Sequence, residues 1–246
     1  MTAQTEVLNS PAQLLISPVV TRNLLIRLTS EETNYDEIYS LTDPEILPLA
    51  LKTAGIFQNA LVPAENNSLR FDVNTALDVV KQNPELSVIS YTDITKTTSS
   101  SQTSVMVDLV VETIKTVLGI ALAPVPLAKL SAAIESAYTD LHKEEGNAWI
   151  FWEKKQEKKT TYQYNITFAV QAGPTGALLM TCPMGLTIDV DKEYERVLFI
   201  TLKDTESYST RIQALNTAQL AKPGSRTAEA DAVLNVLLQN GPRKVE

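Results

Sequence analysis

Residues 160–171 read TTYQYNITFAVQ, residues 177–190 read ALLMTCPMGLTIDV, and residues 196–203 read RVLFITLK. Each stretch places large apolar side chains at nearly every second position, which is the period of a β-strand. In the first stretch the intervening positions include Gln163 and Asn165. Because successive side chains of a strand point to opposite faces of the sheet, the sequence predicts three long strands, each with one apolar face.

The segment between the first two stretches favours a hairpin. It contains Gly173, Pro174 and Gly176, which are typical of tight turns, so the flanking strands are expected to pair antiparallel. At ~3.3 Å per residue, a strand over residues 160–171 reaches ~40 Å, whereas a tilted strand crosses the hydrocarbon core of a bilayer with about 9 to 11 residues. The hairpin is therefore long enough to span a membrane, although a large sheet in a soluble protein would have the same reach.

The apolar side of these three predicted strands defines the candidate membrane-inserting residues. They are Tyr162, Tyr164, Ile166, Phe168, Val170, Leu178, Met180, Leu186, Ile188, Val190, Val197, Phe199 and Thr201. Cys182 lies in the second stretch. As a lone thiol it is expected to be a small core residue, with acylation as the alternative.

Charge and residue counts exclude several classes of function. The chain of 246 residues has a formal net charge of -8, so nucleic acid is not an expected partner, and neutral or zwitterionic phospholipid is favoured over strongly anionic lipid. One cysteine excludes an intramolecular disulfide, and His142, the only histidine, excludes a histidine-based metal cluster. No nucleophile elbow, phosphate loop or catalytic carboxylate pair stands out, so we expect neither an enzyme nor a cofactor.

The N-terminal sequence does not have the pattern of a secretory signal peptide. It lacks a basic first segment, carries Glu6 and is interrupted by Pro11 and Pro18. An uncharged apolar run of the ~20 residues that a transmembrane helix needs is also missing. The expectation is a protein made as a soluble cytoplasmic species without a signal peptide; if it acts outside its cell, release must come by lysis or another leaderless route.

The remaining patterns predict helices around the strands. Asp43 and Pro44 mark a helix start, and a shorter helix is expected over residues 73–82, followed by a strand over residues 86–91. Residues 104–123 and 127–141 have the spacing of a helical hairpin. We therefore predict a single α/β domain, with a mostly antiparallel sheet between helical hairpins.

The C-terminal third adds one strand, one ambiguous segment and a tail. AWIFWEKK, from Ala148, is predicted to be a strand, and residues 209–218 are ambiguous between helix and strand. Residues 221–246 surround a short helical run at 228–238 and are interpreted as a peripheral tail.

Several short motifs together resemble the Cyt family of cytolytic delta-endotoxins. They occur in the family's order along most of the chain, whereas its two ends depart from the family pattern. The motif residues include Phe57, Gln58, Asn59, Ala60, Trp149, Phe151, Trp152, Asp204 and Tyr208.

The resemblance implies a single cytolysin domain over residues 1–246 that is made as a soluble protoxin, often as crystals beside the spore. Proteolysis on activation would remove an arm at residues 1–20 and the tail at residues 221–246. The implied activity is insecticidal: the toxin binds phospholipid, its helices move away, and its long strands insert. Self-association is also implied, as a protoxin dimer held by residues 22–28 and as an oligomer on the membrane.

The predicted function is a membrane-permeabilising toxin that either forms oligomeric pores or disrupts the bilayer in another way. The alternative is a non-lytic protein that binds lipid or acyl chains in a pocket between helices and sheet. Release of dye from liposomes separates the two hypotheses.

Overall fold

A computed structural model describes eleven segments of the chain. They are residues 24–28, 36–64, 69–98, 103–119, 124–139, 150–156, 159–172, 176–190, 208–221, 228–239 and 241–246. Ten strands are formed in these segments. In chain order they are β1 (Leu24–Leu28), β2 (Asp36–Leu41), β3 (Leu61–Pro63), β4 (Leu69–Phe71), β5 (Ser87–Thr98), β6 (Ile150–Gln156), β7 (Lys159–Ala172), β8 (Leu178–Val190), β9 (Tyr208–Leu220) and β10 (Arg243–Lys244).

Five α-helices and two short 3-10 turns complete the described structure. The helices are α1 (Leu47–Ile56), α2 (Val73–Lys81), α3 (Thr103–Leu118), α4 (Pro124–Thr139) and α5 (Ala228–Leu238), and the 3-10 turns are Pro44–Ile46 and Phe57–Ala60. As the sequence predicts, Asp43 caps the first turn through its side chain, which accepts a hydrogen bond from the Glu45 N–H. Asp72 caps α2 in the same way, through the N–H of Thr75.

The main sheet is mixed but mostly antiparallel. Its strand order is β1-β2-β7-β8-β9-β5-β10, and β6 also pairs with β7. Only β2 with β7 and β10 with β5 are parallel pairs. β6 pairs with the first half of β7 and β2 with the second half, so the two shorter strands share one edge of a 14-residue strand.

The predicted hairpin is confirmed, and its second strand pairs on the other side with a strand that the sequence left ambiguous. β7 and β8 pair antiparallel in unbroken register from Thr160 opposite Val190 to Ala172 opposite Leu178. The strand next to them is β9, which the sequence left ambiguous. Residues 196–203, the predicted third strand, lie outside the described residues. β5 is also longer than the predicted strand, because it continues through the polar residues Thr95 to Thr98.

Helices cover both faces of the sheet, as the sequence predicts. One large apolar cluster joins α3 and α4 to β7, β8 and β9 and receives Leu234 and Leu238 of α5. Two smaller clusters on the opposite face join α1, α2, β4 and the 3-10 turns to the same sheet. We call α3, α4 and α5 the apolar cover. We call residues 44–81, from the first 3-10 turn to α2, the polar cover. Each name refers to the sheet side chains that the cover buries.

Candidate functional site: a two-faced sheet and its covers

The face of the sheet under the apolar cover is almost entirely hydrocarbon. On β7 it carries Tyr164, Ile166, Phe168, Val170 and Ala172, on β8 it carries Leu178, Met180, Cys182, Met184, Leu186 and Ile188, and on β9 it carries Ile212, Ala214 and Ala218. All are buried, most of them completely. Three adjacent strands of 13 or 14 residues therefore present one continuous apolar surface.

Most of the candidate inserting residues lie together on this surface. The eight that belong to the apolar cluster are Tyr164, Ile166, Phe168, Val170, Leu178, Met180, Leu186 and Ile188. Tyr162 of β7 pairs with Ile188, and Val190 of β8 pairs with Thr160, at the end of the hairpin away from its turn. Val197, Phe199 and Thr201 lie outside the described residues. The contribution of β9 was missed, although the alternation of Ile212 and Ala214 with polar residues was a weak signal for it.

The apolar cover is held by packing along its length and by hydrogen bonds at one end of α3. Met106, Val110 and Ile114 of α3 are fully buried against the sheet. At the helix C-terminus, the side-chain amide of Asn216 donates to the carbonyl oxygens of Val117 and Leu118, at 3.2 and 3.1 Å. These carbonyls have no partner within the helix, so Asn216 of β9 fixes the end of α3 to the sheet.

Ser90 of β5 acts at the same end of α3. Its hydroxyl donates to the Val117 carbonyl oxygen, which Asn216 also contacts. The two polar side chains form a small clamp at the edge of an apolar contact. The rest of the cover rests on hydrophobic burial, which is roughly proportional to the apolar area removed from water.

The opposite face of the same strands is mostly polar, with apolar contacts at Ala169, Leu179 and Leu215, and it is also buried. β7 contributes Thr161, Gln163, Asn165 and Thr167, β8 contributes Thr181, and β9 contributes Gln213, Thr217 and Gln219, all of them buried. Within the described residues, the hydroxyl oxygens of Thr167 and Thr181 have no hydrogen-bond partner. Burying this polar surface lowers the free energy of unfolding, because an unpaired buried hydroxyl costs about 1–3 kcal/mol of stability.

Asn165 and Gly185 form the seat on which the polar cover rests. Asn165 on β7 accepts a hydrogen bond from the Phe71 N–H at 3.0 Å and donates to the Leu69 carbonyl oxygen at 2.9 Å, so its side chain pairs with β4 as a strand would. Its cross-strand partner on β8 is Gly185. A Cβ atom on Gly185 would lie 2.8 Å from the Cβ of Phe71, so only glycine permits this close approach.

Two glutamines attach the polar cover at other points. The side-chain oxygen of Gln171 accepts hydrogen bonds from the N–H groups of Thr42 and Asp43, both at 2.9 Å, and its amide donates to the Gly176 carbonyl oxygen at 2.7 Å. It thereby joins the start of the polar cover to the β7–β8 turn. Gln219 on β9 donates to the hydroxyl of Thr53 in α1. The polar cover is therefore fixed by side-chain hydrogen bonds at three separate places.

Charged side chains take part in two polar pairs on the described sheet. Arg211 on β9 contacts Asp93 on β5 with two hydrogen bonds, of 2.8 and 2.7 Å, and Gln213 donates to the same carboxylate at 3.2 Å. The hydrogen bond from Arg211 holds the pKa of Asp93 below its usual range. On β2, burial first, and then the carboxylate of Glu37, raise the pKa of the Tyr39 phenol, which donates to Glu37 at 2.7 Å.

The motif residues behind the family resemblance take structural positions where they are described. Phe57 and Ala60 are fully buried and pack on α2, while Gln58 and Asn59 lie between them in a 3-10 turn. Phe151 and Trp152 lie in β6, and Tyr208 begins β9 opposite Thr98 and Val190. Trp149 and Asp204 lie outside the described residues.

Other candidate chemistry finds little support in the described part of the chain. Cys182 is fully buried in the apolar cluster, so the thiol is covered in this form. No group of three or more His, Cys, Asp and Glu side chains in the described segments could hold a metal ion. None of the described helices combines the length and the hydrophobicity needed to cross a membrane.

Comparison with known proteins relates this arrangement to one family. The family model described as Bacillus thuringiensis toxin matches residues 16–239. The chain is 39% identical over 193 residues to the type-1Ba cytolytic delta-endotoxin of Bacillus thuringiensis subsp. neoleoensis, covering 77% of this chain and 73% of the relative. It is 37% identical over 206 residues to the type-1Aa cytolytic delta-endotoxin of subsp. morrisoni, covering 82% of this chain and 83% of the relative.

A solved structure shows the same fold. The crystal structure of the activated Cyt2Ba monomer from subsp. israelensis matches with a TM-score of 0.68 at 28% identity, covering 78% of this chain and all of that one. The sheet between helical covers thus has the fold of a solved Cyt toxin. The chain belongs to the Bacillus thuringiensis toxin family and, within it, is similar to the Cyt toxins, which confirms the resemblance seen in the sequence.

Proposed function

We propose that this chain is a toxin that permeabilises phospholipid membranes by inserting β7, β8 and β9 after both covers have left the sheet. The observation that carries the proposal is the contrast between the two buried faces of these strands. Neutral or zwitterionic membranes are the proposed target, in line with the net charge of -8. We propose that the target membrane belongs to an insect cell, and this part of the proposal rests on the family resemblance alone.

Lipid can replace the apolar cover at little cost. In water, a helix that hides ~400 Å² of apolar sheet surface contributes ~10 kcal/mol at ~25 cal/mol per Å², so the cover stays closed. At a bilayer, acyl chains can contact the same surface of β7, β8 and β9. Most of the cost of removing α3 and α4 then disappears, and the clamp from Ser90 and Asn216 is the main polar connection that must break.

Water can replace the hydrogen bonds that hold the polar cover, and the apolar clusters beneath this cover are smaller than the one beneath the apolar cover. Asn165, Gln171 and Gln219 form hydrogen bonds with the cover that water can form equally well. Thr167 and Thr181 would gain partners that they lack beneath the cover. A sheet with lipid on its apolar face and water on its polar face could line an aqueous pore. A membrane that releases the apolar cover would therefore also favour release of the polar cover.

A membrane-inserted sheet also needs its edges paired. Backbone groups without hydrogen bonds cost several kcal/mol each in hydrocarbon, at about the magnitudes known for polar groups in apolar media. Three strands cannot close on themselves, so we propose that several copies assemble on the membrane. The same requirement holds for a discrete pore and for a less regular oligomeric lesion.

The test compares two adjacent positions that lie on opposite faces of β8. Native Cys182 lies on the apolar face and Thr181 on the polar face. The variant T181C/C182S moves the only thiol by one residue. In solution both proteins should resist a charged, water-soluble thiol reagent. On dye-loaded phosphatidylcholine vesicles, T181C/C182S should become reactive while native Cys182 stays protected by lipid.

Other results of this test would contradict the proposal. Reaction of both thiols on vesicles would show a sheet that opens without insertion, and reaction of neither would show that the polar face stays covered. Vesicles that stay sealed, with bound protein, would support the alternative of a lipid carrier. The structure disfavours that alternative because Met106, Val110 and Ile114 already fill the space between α3 and the sheet.

A further inference from the structure

The outer edge of β5 is largely open in the described structure. On its inner side β5 pairs with β9 along its full length of 12 residues. On its outer side β10 pairs only with Ser90 and Tyr91, and the Val245 N–H donates to the Tyr91 carbonyl oxygen at 2.8 Å. The backbone N–H and C=O groups of successive residues alternate between the two sides of a strand. Those of Asp93, Thr95 and Thr97 therefore point to the same outer side as the Tyr91 carbonyl group. Among the described residues, no strand pairs with them.

The C-terminal segment, residues 228–246, includes α5 and contacts both this edge and the end of α3. The Thr92 hydroxyl donates to the Val245 carbonyl oxygen at 2.7 Å, and the Val245 side chain is buried in the apolar cluster. Arg243 donates to the Thr116 carbonyl oxygen at the end of α3, at 3.2 Å. The tail predicted to be peripheral is therefore integrated, because it joins β5 to α3.

We propose that the outer edge of β5 is the surface at which a second copy of this chain adds a strand on the membrane, and that the C-terminal segment occupies one end of it beforehand. This inference rests on the proposed function, because it says what pairs with the edge of the inserted sheet. Because β5 stays paired with β9, it enters the bilayer beside the three inserted strands. In hydrocarbon an open edge of this length must be paired, and in an assembly of identical chains another copy can supply the strand.

The short length of β10 suits a temporary occupant. It covers two residues of a strand of 12, whereas a neighbouring long strand could pair with the whole edge. Natural proteins often cover a sheet edge to prevent pairing with other chains. Because the covering segment also holds α3, leaving the edge would loosen the apolar cover in the same step. Assembly and uncovering would thus be coupled through residues 228–246.

The first experiment blocks the edge without touching its inner side. Thr95 is exposed and its N–H points outward, so the substitution T95P removes an intermolecular donor but no bond to β9. T95V is the control, because it keeps the N–H and the β-branched shape. Both variants should fold, as thermal unfolding would show, and both should bind phosphatidylcholine vesicles. Chemical cross-linking on the vesicles should give wild-type amounts of oligomer for T95V and at least about tenfold less for T95P.

The second experiment releases the C-terminal segment. The substitution V245P removes the N–H that donates to Tyr91, and K244A, at an exposed side chain, is the control. V245P should form cross-linked oligomers at a several-fold lower protein concentration than K244A. Two results would overturn the edge inference and leave the proposed function intact. One is equal amounts of oligomer from T95P and T95V, and the other is a higher protein concentration needed for oligomers of V245P than for those of K244A. Wild-type protein that binds vesicles without releasing dye would instead overturn the proposed function.

Discussion

The two faces of the central sheet are equally buried but are held by different forces. Beneath the apolar cover, residues such as Phe168 and Met180 pack against helices with few polar contacts. Beneath the polar cover, Asn165 and Gln171 form specific hydrogen bonds, and Thr167 has an unpaired hydroxyl. Packing can be exchanged for lipid and hydrogen bonds can be exchanged for water. The two covers are therefore attached to one sheet by different kinds of interaction.

The largest effect is expected from adjacent substitutions on opposite faces of β7. F168A removes a fully buried aromatic ring from the apolar cluster and should lower the free energy of unfolding by about 3–5 kcal/mol. T167V removes a buried hydroxyl that has no partner in the described structure, so it should leave the free energy of unfolding unchanged or raise it by up to about 1–3 kcal/mol. Urea unfolding followed by circular dichroism measures both. Similar losses at the two positions would break the contrast between the faces.

The next effect concerns the seat of the polar cover. G185A places a Cβ atom 2.8 Å from the Cβ of Phe71, which cannot move without its backbone, so we expect a loss of about 2 kcal/mol. Gly55 in α1 is the matched control, because nothing lies within 4 Å of its Cβ position. G55A should stabilise the protein by about 0.5–1 kcal/mol through helix propensity. A neutral G185A would mean that β4 does not rest closely on the sheet.

The clamp at the end of α3 should have a smaller effect on stability but a visible effect on opening. N216A leaves the carbonyls of Val117 and Leu118 without their donor and should cost about 1–2 kcal/mol. The same variant should release dye from vesicles faster, because the apolar cover loses its main polar anchor. N74A, at an exposed position of α2, is the control. Slower dye release from N216A would show that the clamp assists opening instead of restraining it.

The smallest effect tests the ion pair on the polar side of the sheet. The pKa of Asp93 is lowered in the folded protein by its hydrogen bond from Arg211, so the carboxylate stabilises the fold at pH values above its ordinary pKa of ~3.9. Both side chains are partly exposed, so D93N should cost about 1 kcal/mol or less at pH 7. The difference from wild type should shrink as the pH falls through the folded pKa of Asp93. Urea unfolding at pH 7 and pH 3 checks this, and a difference that grew on acidification would contradict it.

The elements with strong local patterns were predicted well. The β7–β8 hairpin, α2 and α5 match the structure closely because alternation, caps and helical spacing are encoded in neighbouring residues. β9 was not predicted because its apolar positions include the small residues Ala214 and Ala218, which fit a helix equally well. Its strand conformation is imposed by β8 and β5 on either side, and such pairing is invisible in a local window.

The candidate site was only half predictable for a related reason. Alternation indicates which residues of β7 share a face, and it correctly grouped Tyr164, Ile166 and Phe168. It cannot say whether the opposite face meets water or protein, because the sequence pattern is the same in both cases. That Asn165 lies buried follows from its contact with β4, far away in the chain. The existence of the polar cover was therefore a structural finding.

The order of elements along the chain has a consequence for synthesis. β2 pairs with β7, and β5 pairs with β9, across more than 100 intervening residues. A ribosome works from the N-terminus, so α3 and α4 emerge before the strands that carry the oily surface. The helices are thus already available when that surface is made, which shortens the time in which a newborn chain could adhere to the membranes of the cell that makes it.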